Sequence, residues 1–202
     1  GSRSGARRPG GGARDVDTGG PCEVELSAAL REYQRDWVER FRDQRSGVRG
    51  GPTGSGKTVT AIGILAAIGG ESLILVPSRE LAGQWRAELL DHTTLTEAQI
   101  GEYHGGEKEI RPITIATYRT AGMDRHRVLF DSRGWGLVVY DEVHHIPAEV
   151  YRRSATLQTK HRLGLSATPV REDDREAEIF TLIGPPIGTD WSRLFEAGYV
   201  QE

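Results

Sequence analysis

The chain has 202 residues, enough for one compact core, and its 37% hydrophobic and 27% charged residues are typical of a globular protein in water. The net charge of −3 excludes a uniformly basic nucleic-acid binder, so any contacts with phosphates must come from local donors. The apolar run at 61–68 is too short to cross a bilayer and the single cysteine, Cys22, cannot form an internal disulfide, so we expect a cytoplasmic protein.

The first part of the chain differs in composition from the rest. Residues 1–22 are rich in Gly and Arg and lack the large apolar side chains that a folded segment needs. We expect a flexible tail, natural or left from cloning, and weak attraction of its arginines to nucleic acid is the less favoured alternative. The folded domain is expected to occupy residues 23–202.

Helical spacing then alternates with short β-branched runs, which is typical of an α/β fold with a parallel sheet and helices on both faces. The first helix is predicted from apolar residues three and four positions apart between Leu30 and Phe41, with Ser27 as its N-cap. Strands are predicted at 72–76, 113–117, 137–140 and 162–166. Helices are predicted after Lys57, after Ser78, and near 148–157, 174–182 and 191–197.

A glycine-rich segment ahead of the second helix carries the strongest chemical signal. The sequence Gly51-Pro-Thr-Gly-Ser-Gly-Lys-Thr58 fits the phosphate-binding loop pattern, in which backbone N–H groups curl around a polyphosphate. The residues expected to hold ATP and Mg²⁺ are Gly54, Ser55, Gly56, Lys57 and Thr58. Lys57 would reach the β- and γ-phosphates, and the Thr58 hydroxyl would join the Mg²⁺ shell. A glycine-rich turn that matches by chance is the alternative.

The strand expected before this loop is a poor one. Gly47-Val-Arg-Gly-Gly51 lacks the continuous apolar side chains of a buried parallel strand. We therefore expect a first strand that is short or strained.

A pair of carboxylates follows the apolar run at 136–140. Because ligands gather at the carboxyl ends of parallel strands, Asp141 and Glu142 can approach Lys57 although they are far away in sequence. Asp141 would hold Mg²⁺ through water, and Glu142 would accept a proton from the attacking water. Taken alone, the pair would more simply belong to a solvated loop, but the phosphate loop favours the catalytic interpretation.

Two histidines follow directly. Adjacent residues on an extended chain point to opposite sides, and no further ligand stands at zinc spacing near His144 and His145. We expect His144 to form a hydrogen bond beside the γ-phosphate and His145 to be structural.

The segment Asp141-Glu-Val-His144 resembles the DEVH form of motif II in helicase superfamily two. The longer stretch 141–148, together with 163–174 and 182–185, resembles the XPB-type DNA-repair helicases of archaeal and bacterial style, and the likeness extends from Leu30 to Tyr199. The resemblance implies a RecA-like first motor domain of a DNA-dependent ATPase and 3'-5' type helicase or translocase. It also implies that Gln34 selects adenine, although Glu32 stands where the family often has proline.

The resemblance assigns further roles by position. Residues implied to contact the nucleic-acid backbone, without reading bases, are Ser78, Arg79, Gln84, Gly105, Gly106, Thr117 and Tyr118. Residues implied to couple the nucleotide and DNA sites, or to act in strand separation, are Ser166, Thr168, Arg171, Glu172 and Asp173. Taken alone, Arg79 could simply pair with an acid and the two glycines could form a turn.

The resemblance also implies what completes the site. A second RecA-like domain supplies arginines in this family, and we expect none of it within 202 residues, so the chain alone should bind ATP but hydrolyse it slowly. DNA is the expected partner, and a repair nuclease or transcription partner stays open. The alternatives are a double-stranded-DNA translocase of restriction or remodelling type and a non-catalytic nucleotide-binding scaffold. A small-molecule kinase is disfavoured by the segments at 166–168 and 171–173.

Overall fold

The structure is a computed structural model that describes residues 24–27, 30, 35–36, 38–39, 41, 46–50, 57–159 and 161–166. Several expectations lie outside these residues: the tail, the helices near 174–182 and 191–197, and the roles of Gln34, Gly54, Ser55, Gly56, Thr168, Arg171, Glu172 and Asp173. In the described part, no helix is both long and apolar enough to cross a membrane.

Six parallel strands form one sheet in the order β1-β6-β5-β2-β4-β3. Their bounds are β1 Ser46–Gly50, β2 Ser72–Val76, β3 Ile100–Tyr103, β4 Ile113–Thr117, β5 Leu137–Tyr140 and β6 His161–Ser166. The four predicted strands are confirmed, and β6 begins one residue early. The strand before the phosphate loop pairs with β6 along its whole length, from Ser46 beside Arg162 to Gly50 beside Ser166.

Five helices connect the strands of the described region. They are α1 Lys57–Ile68, α2 Arg79–His92, α3 Tyr118–Ala121, α4 Val128–Asp131 and α5 Ala148–Ala155. The helices predicted after Lys57 and Ser78 are confirmed, and the Ser78 hydroxyl caps α2 by accepting a hydrogen bond from the Leu81 N–H at 3.3 Å. The helix predicted near 148–157 ends two residues early, at Ala155.

The predicted start of the first helix is wrong. Described residues between Arg35 and Phe41 are helical, but Leu30 lies outside any helix, so Ser27 is not an N-cap. The Ser27 hydroxyl instead donates to the Asp91 carbonyl at 3.1 Å, which fastens this segment to the last turn of α2. A side-chain acceptor at a helix start and a side-chain donor to a distant helix end have the same sequence signal.

The core has two layers, because successive strand side chains point to opposite faces of the sheet. In β2, Ile74 and Val76 pack under α1 and α2, whereas Leu73 and Leu75 pack against the layer that contains α3, α4 and α5. Both faces are covered, as a parallel sheet requires. The carboxyl ends of the strands therefore share one edge, and the loops that follow them are brought together there.

Candidate nucleotide and nucleic-acid sites

The predicted site residues that the structure describes lie at or after the carboxyl ends of strands, and they fall into two groups along the sheet. We call the loops after β1, β6 and β5 the nucleotide half; it contains Lys57, Thr58, Asp141, Glu142, His144 and Ser166. We call the loops after β2, β4 and β3 the basic half; it contains Ser78, Arg79, Gln84, Gly105, Gly106, Thr117 and Tyr118. The strands β5 and β2 are neighbours, so the two halves meet there.

Asp141 lies at the centre of the nucleotide half and is only 8% exposed. Its Oδ2 accepts a hydrogen bond from the Trp85 indole N–H at 2.9 Å, and its Oδ1 accepts one from the Glu142 N–H at 2.9 Å. A carboxylate has about four lone-pair positions, so each oxygen can still accept another donor, such as a metal-bound water. The two hydrogen bonds thus orient the carboxylate, and each of its oxygens can still accept a further hydrogen bond.

The electrostatics of Asp141 suit a cation. Burial raises the pKa of its carboxyl group, the nearby charge of Glu142 raises it further, and the hydrogen bond from Trp85 together with the charge of Lys57 lowers it. Lys57, at the start of α1, is thereby close enough to Asp141 to influence its ionisation. A buried carboxylate of this kind gains from a positively charged ligand.

Glu142 is held in an unusual backbone conformation, with φ 48° and ψ 54°. It is the one non-glycine residue in the described part of the chain with a positive φ. Such strain is of the order of 1 kcal/mol and occurs mainly where the surroundings enforce it, often at functional sites. Here it turns the chain sharply after β5 and leaves the Glu142 side chain half-buried beside Asp141.

His144 contains an unpaired atom. Its Nε2 is buried without a hydrogen-bond partner among the described residues, whereas His145 is exposed. Leaving such a nitrogen unpaired costs free energy, which a ligand oxygen or a bound water would recover. The two histidines therefore have different surroundings, although they lie in a 3-10 turn, Val143–His145, and not on the extended chain assumed from the sequence.

A cavity of about 570 Å³ lies in the basic half. Its lining contains four predicted residues, Ser78, Arg79, Gly105 and Thr117, and also Pro77, Lys108, Arg119, Thr120, Met123, Arg125 and His126. Its described lining includes no Asp or Glu. We call this cavity the basic pocket; it concentrates cationic side chains on a chain whose net charge is −3.

Loop glycines let an arginine lie close to the backbone in this pocket. A Cβ atom on Gly105 would be 2.2 Å from Arg79 Nη2, and one on Gly106 would be 3.3 Å from Arg79 Nη1. The guanidinium of Arg79 therefore rests across the two predicted glycines. Because these glycines have no side chains, the Arg79 side chain can extend from the start of α2 across them into the pocket.

His126 lines the pocket and contacts a buried tyrosine behind it. Its Nδ1 is 2.9 Å from the Tyr103 hydroxyl, and the two rings meet edge to face. Burial, followed by the charges of Lys108 and Arg125, lowers the pKa of His126. Sequence reasoning missed His126, Lys108 and Arg125, because isolated charged residues on loops look like ordinary solvated surface.

Three predicted residues have surroundings that limit what they can contact. Tyr118 is 4% exposed, and its hydroxyl donates to the Asp141 carbonyl at 2.6 Å, so its side chain does not face the pocket. Gln84 is exposed on α2 but does not line the pocket. Ser166 is fully buried at the end of β6.

The chain is similar in sequence to proteins that are named DNA helicases. The family described as "Type III restriction enzyme, res subunit" matches residues 27–171. A protein of Haloarcula marismortui named putative DNA 3'-5' helicase Rad25 is 71% identical over 94% of this chain, which covers 30% of that protein. The DNA 3'-5' helicase XPB of Mycobacterium tuberculosis is 49% identical over 85% of this chain, covering 32% of that protein. The chain thus spans about a third of the length of these relatives.

Solved structures show the same fold. The UvsW helicase of bacteriophage T4 superposes with a TM-score of 0.67 at 20% identity, over 79% of this chain and 60% of that one. The Sulfolobus solfataricus SWI2/SNF2 ATPase core, solved with double-stranded DNA, gives 0.65 at 22% identity, over 85% of this chain and 39% of that one. The predicted α/β fold of RecA-like type is therefore confirmed.

Proposed function

Because this chain belongs to the family described as type III restriction enzyme, res subunit, and its likeness to XPB-type helicases is confirmed, we propose that it is an ATP-binding first motor domain. The motor is a DNA-dependent ATPase that acts as a helicase or translocase of 3'-5' type in DNA repair or transcription. Residues 23–202 form the domain in this proposal, and a second RecA-like domain completes the enzyme.

The observation that supports this proposal best is that Lys57, Asp141 and Glu142 all come after strands whose carboxyl ends share one edge of the sheet. Lys57 follows β1 and Asp141 follows β5, and these parallel strands are separated only by β6, so both residues stand at the same carboxyl edge of the sheet. A buried carboxylate with unused lone pairs fits Mg²⁺, which prefers oxygen ligands and keeps part of its water shell. The unpaired Nε2 of His144 fits a nearby phosphate oxygen or the attacking water.

Each residue has one step in the proposed chemistry. Lys57 and Thr58, at the start of α1, would hold the β- and γ-phosphates and Mg²⁺ respectively, and Asp141 would bind a water of the metal. When bound, Mg²⁺ neutralises charge on the transferred phosphoryl group. Glu142 accepts the proton of the attacking water, and its carboxyl group stays protonated until that proton passes to solvent. His144 orients that water or the γ-phosphate through a hydrogen bond.

The basic half is the proposed DNA surface. Arg79, Lys108, Arg119 and Arg125 offer long cationic side chains without a carboxylate in the same cavity lining. Such a surface attracts the phosphodiester backbone and does not read bases. Tyr118 has no side-chain role in DNA contact in this proposal, because its hydroxyl is already bonded to Asp141.

Slow turnover is expected of this chain by itself. Related phosphoryl-transfer enzymes gain roughly 10³ to 10⁵ in rate from an arginine placed on the developing charge. In the proposed enzyme that arginine comes from the second domain. Nucleotide binding, rather than turnover, is therefore the property to test first.

Calorimetric titration of Mg-ADP and of a slowly hydrolysed ATP analogue into the wild-type chain and a Lys57→Ala variant tests the proposal. We expect saturable binding to the wild type that weakens roughly 10- to 100-fold in the variant, because a charge-assisted phosphate contact is lost. A Lys108→Ala variant is the matched control and should bind nucleotide like the wild type. Absence of binding to the wild type, or equal binding to all three, would contradict the proposed function.

A further inference from the structure

Two buried aromatic side chains reach Asp141 from the basic half. Trp85 is 2% exposed and donates its indole N–H to the Asp141 carboxylate at 2.9 Å. Tyr118 is 4% exposed and donates its hydroxyl to the Asp141 backbone carbonyl at 2.6 Å. One donor fixes the side chain of Asp141 and the other fixes its main chain.

Each donor lies on a helix that begins at the basic pocket. Trp85 lies on α2, the helix that begins at Arg79 and is capped by Ser78, and both of these residues line the pocket. Tyr118 is the first residue of α3 and stands between Thr117 and Arg119, which also line the pocket. The two elements therefore contact the pocket on one side and Asp141 on the other.

Hydrogen bonds of this kind transmit small movements. Their strength falls steeply with distance and angle, and in a buried site neither donor can exchange its partner for water. A displacement of α2 or α3 by a bound phosphodiester would thus move the carboxylate or carbonyl of Asp141. Close packing of the surrounding core opposes independent adjustment.

We propose that Trp85 and Tyr118 are positioning residues that couple occupancy of the basic pocket by a nucleic-acid backbone to the geometry of Asp141, and so to the affinity for Mg-nucleotide. This inference rests on the proposed function of the two halves. Coupling between ligands is reciprocal, so Mg-nucleotide changes DNA affinity by the same factor as DNA changes nucleotide affinity. Neither residue touches the reacting atoms.

The chain offers matched controls. Trp135 is as buried as Trp85 and also donates its indole N–H at 2.9 Å, but to the Leu129 carbonyl, away from Asp141. Tyr140 is fully buried at the end of β5, and its hydroxyl accepts a hydrogen bond from Arg162 at 2.8 Å. Replacing either by Phe removes a buried polar group of the same kind without removing a bond to Asp141.

The test measures the dissociation constant of ADP by calorimetry for wild type, Trp85→Phe, Tyr118→Phe, Trp135→Phe and Tyr140→Phe. ADP is titrated into each protein in the presence of either Mg²⁺ or EDTA, and each titration is done with and without a saturating deoxythymidine oligonucleotide. In the wild type we expect the oligonucleotide to change the Mg-ADP affinity by about fivefold or more. Trp85→Phe and Tyr118→Phe should lose most of this factor and most of the gain that Mg²⁺ gives, while binding in EDTA stays unchanged. Both controls should keep the wild-type values.

Four outcomes would overturn the inference. The first is a wild type that binds both ligands without coupling, which leaves the proposed function standing. The second is full coupling retained in Trp85→Phe and Tyr118→Phe, and the third is an equal loss in the two controls, which would indicate general loosening of the core. The fourth, a wild type that binds no Mg-ADP, removes the proposed function and the inference together.

A measurement on the wild type tests the same coupling without depending on whether a variant folds. In a ¹⁵N–¹H spectrum the Trp85 indole resonance should move on addition of either Mg-ADP or the oligonucleotide, whereas the Trp135 resonance should stay in place. A Trp85 resonance that responds to nucleotide but not to DNA would overturn the coupling.

Discussion

The two halves of the sheet edge are built on different principles. In the nucleotide half, Asp141 is buried and both of its carboxylate oxygens accept hydrogen bonds, and Glu142 is fixed by a left-handed turn. In the basic half, Arg79 and Arg125 are exposed side chains beside an open cavity. Metal and proton chemistry requires groups held to fractions of an ångström, whereas sequence-independent attraction to a backbone requires only charge in the right region.

Charge is separated between the halves as well. The chain carries a net charge of −3, yet the described lining of the basic pocket contains no carboxylate. A chain of this net charge does not attract polyanions by its overall field, so a local patch has to do so. Variants that affect one ligand and spare the other measure how complete this separation is.

Asp141→Asn should give the largest difference between the effect on Mg-nucleotide binding and the effect on DNA binding. The variant keeps an oxygen that can accept from Trp85 but loses the charge that a metal-bound water needs, so the gain in ADP affinity that Mg²⁺ gives should fall roughly 10- to 100-fold. Calorimetry with and without Mg²⁺ measures this, and DNA affinity measured without nucleotide should stay unchanged. Asp131→Asn, an exposed aspartate at the end of α4, is the control. Equal losses in both variants would argue against a specific metal role.

Arg119→Ala and Arg125→Ala should have the next largest effect, on DNA alone. Each neutralised phosphate contact contributes about 0.7 to the slope of log affinity against log salt for single strands and about 0.9 for duplex. We expect each variant to lower the slope by about one contact and to leave Mg-ADP affinity unchanged. Fluorescence anisotropy at several salt concentrations measures the slope, with the exposed Arg152→Ala as control. An unchanged slope would remove these residues from the DNA surface.

Gly105→Ala should have a smaller effect on the same surface. The new methyl group would lie 2.2 Å from Arg79 Nη2, so the guanidinium must swing away, which we expect to weaken DNA binding by a few-fold. Gly83→Ala is the matched variant, because a methyl group added at this position on α2 would meet no other atom within 4 Å. It should leave DNA binding alone and stabilise the chain by about 0.5–1 kcal/mol, seen as a higher Tm. Weaker DNA binding in Gly83→Ala instead would contradict the steric argument.

The pH dependence of DNA binding should show the smallest effect. Burial and the neighbouring Lys108 and Arg125 lower the pKa of His126, so it is neutral at pH 7 and gains its proton only below its ordinary value of 6.5. A bound phosphate favours the protonated form, and DNA affinity should therefore rise modestly as pH falls from 7.5 to 5.5. Anisotropy titrations should show this rise in the wild type and a flatter profile in His126→Gln. An identical rise in both would assign the effect to another group.

Sequence patterns predicted the elements whose signals are local. The short apolar runs at β2, β4 and β5 and the cap at Ser78 depend on neighbouring residues only, and the structure confirms them. The strand β3 was missed because Ile100-Gly-Glu-Tyr103 has few apolar residues, although it is paired along its whole length with β4. Ser27 was misread because its partner, Asp91, is supplied by a distant helix end.

The parts of the site that depend on the tertiary fold could not be predicted in this way. Trp85 and Asp141 are 56 positions apart, and nothing in either segment indicates that an indole meets this carboxylate. Apart from Arg79, which the family resemblance assigned to DNA contact, the cations of the basic pocket are Lys108, Arg119 and Arg125, and each of them alone looks like ordinary surface charge. Tyr118 carries a family position that suggests DNA contact, but only the structure shows where its hydroxyl points.

The most direct test of two separate sites on one edge is a ¹⁵N–¹H spectrum of the chain titrated first with Mg-ADP and then with a deoxythymidine oligonucleotide. The account predicts that nucleotide moves amide resonances mainly at 57–60 and 141–145, and that DNA moves those mainly at 78–80, 105–108 and 117–126. Displacement of the same set of resonances by both ligands, or competition between them for one site, would contradict it.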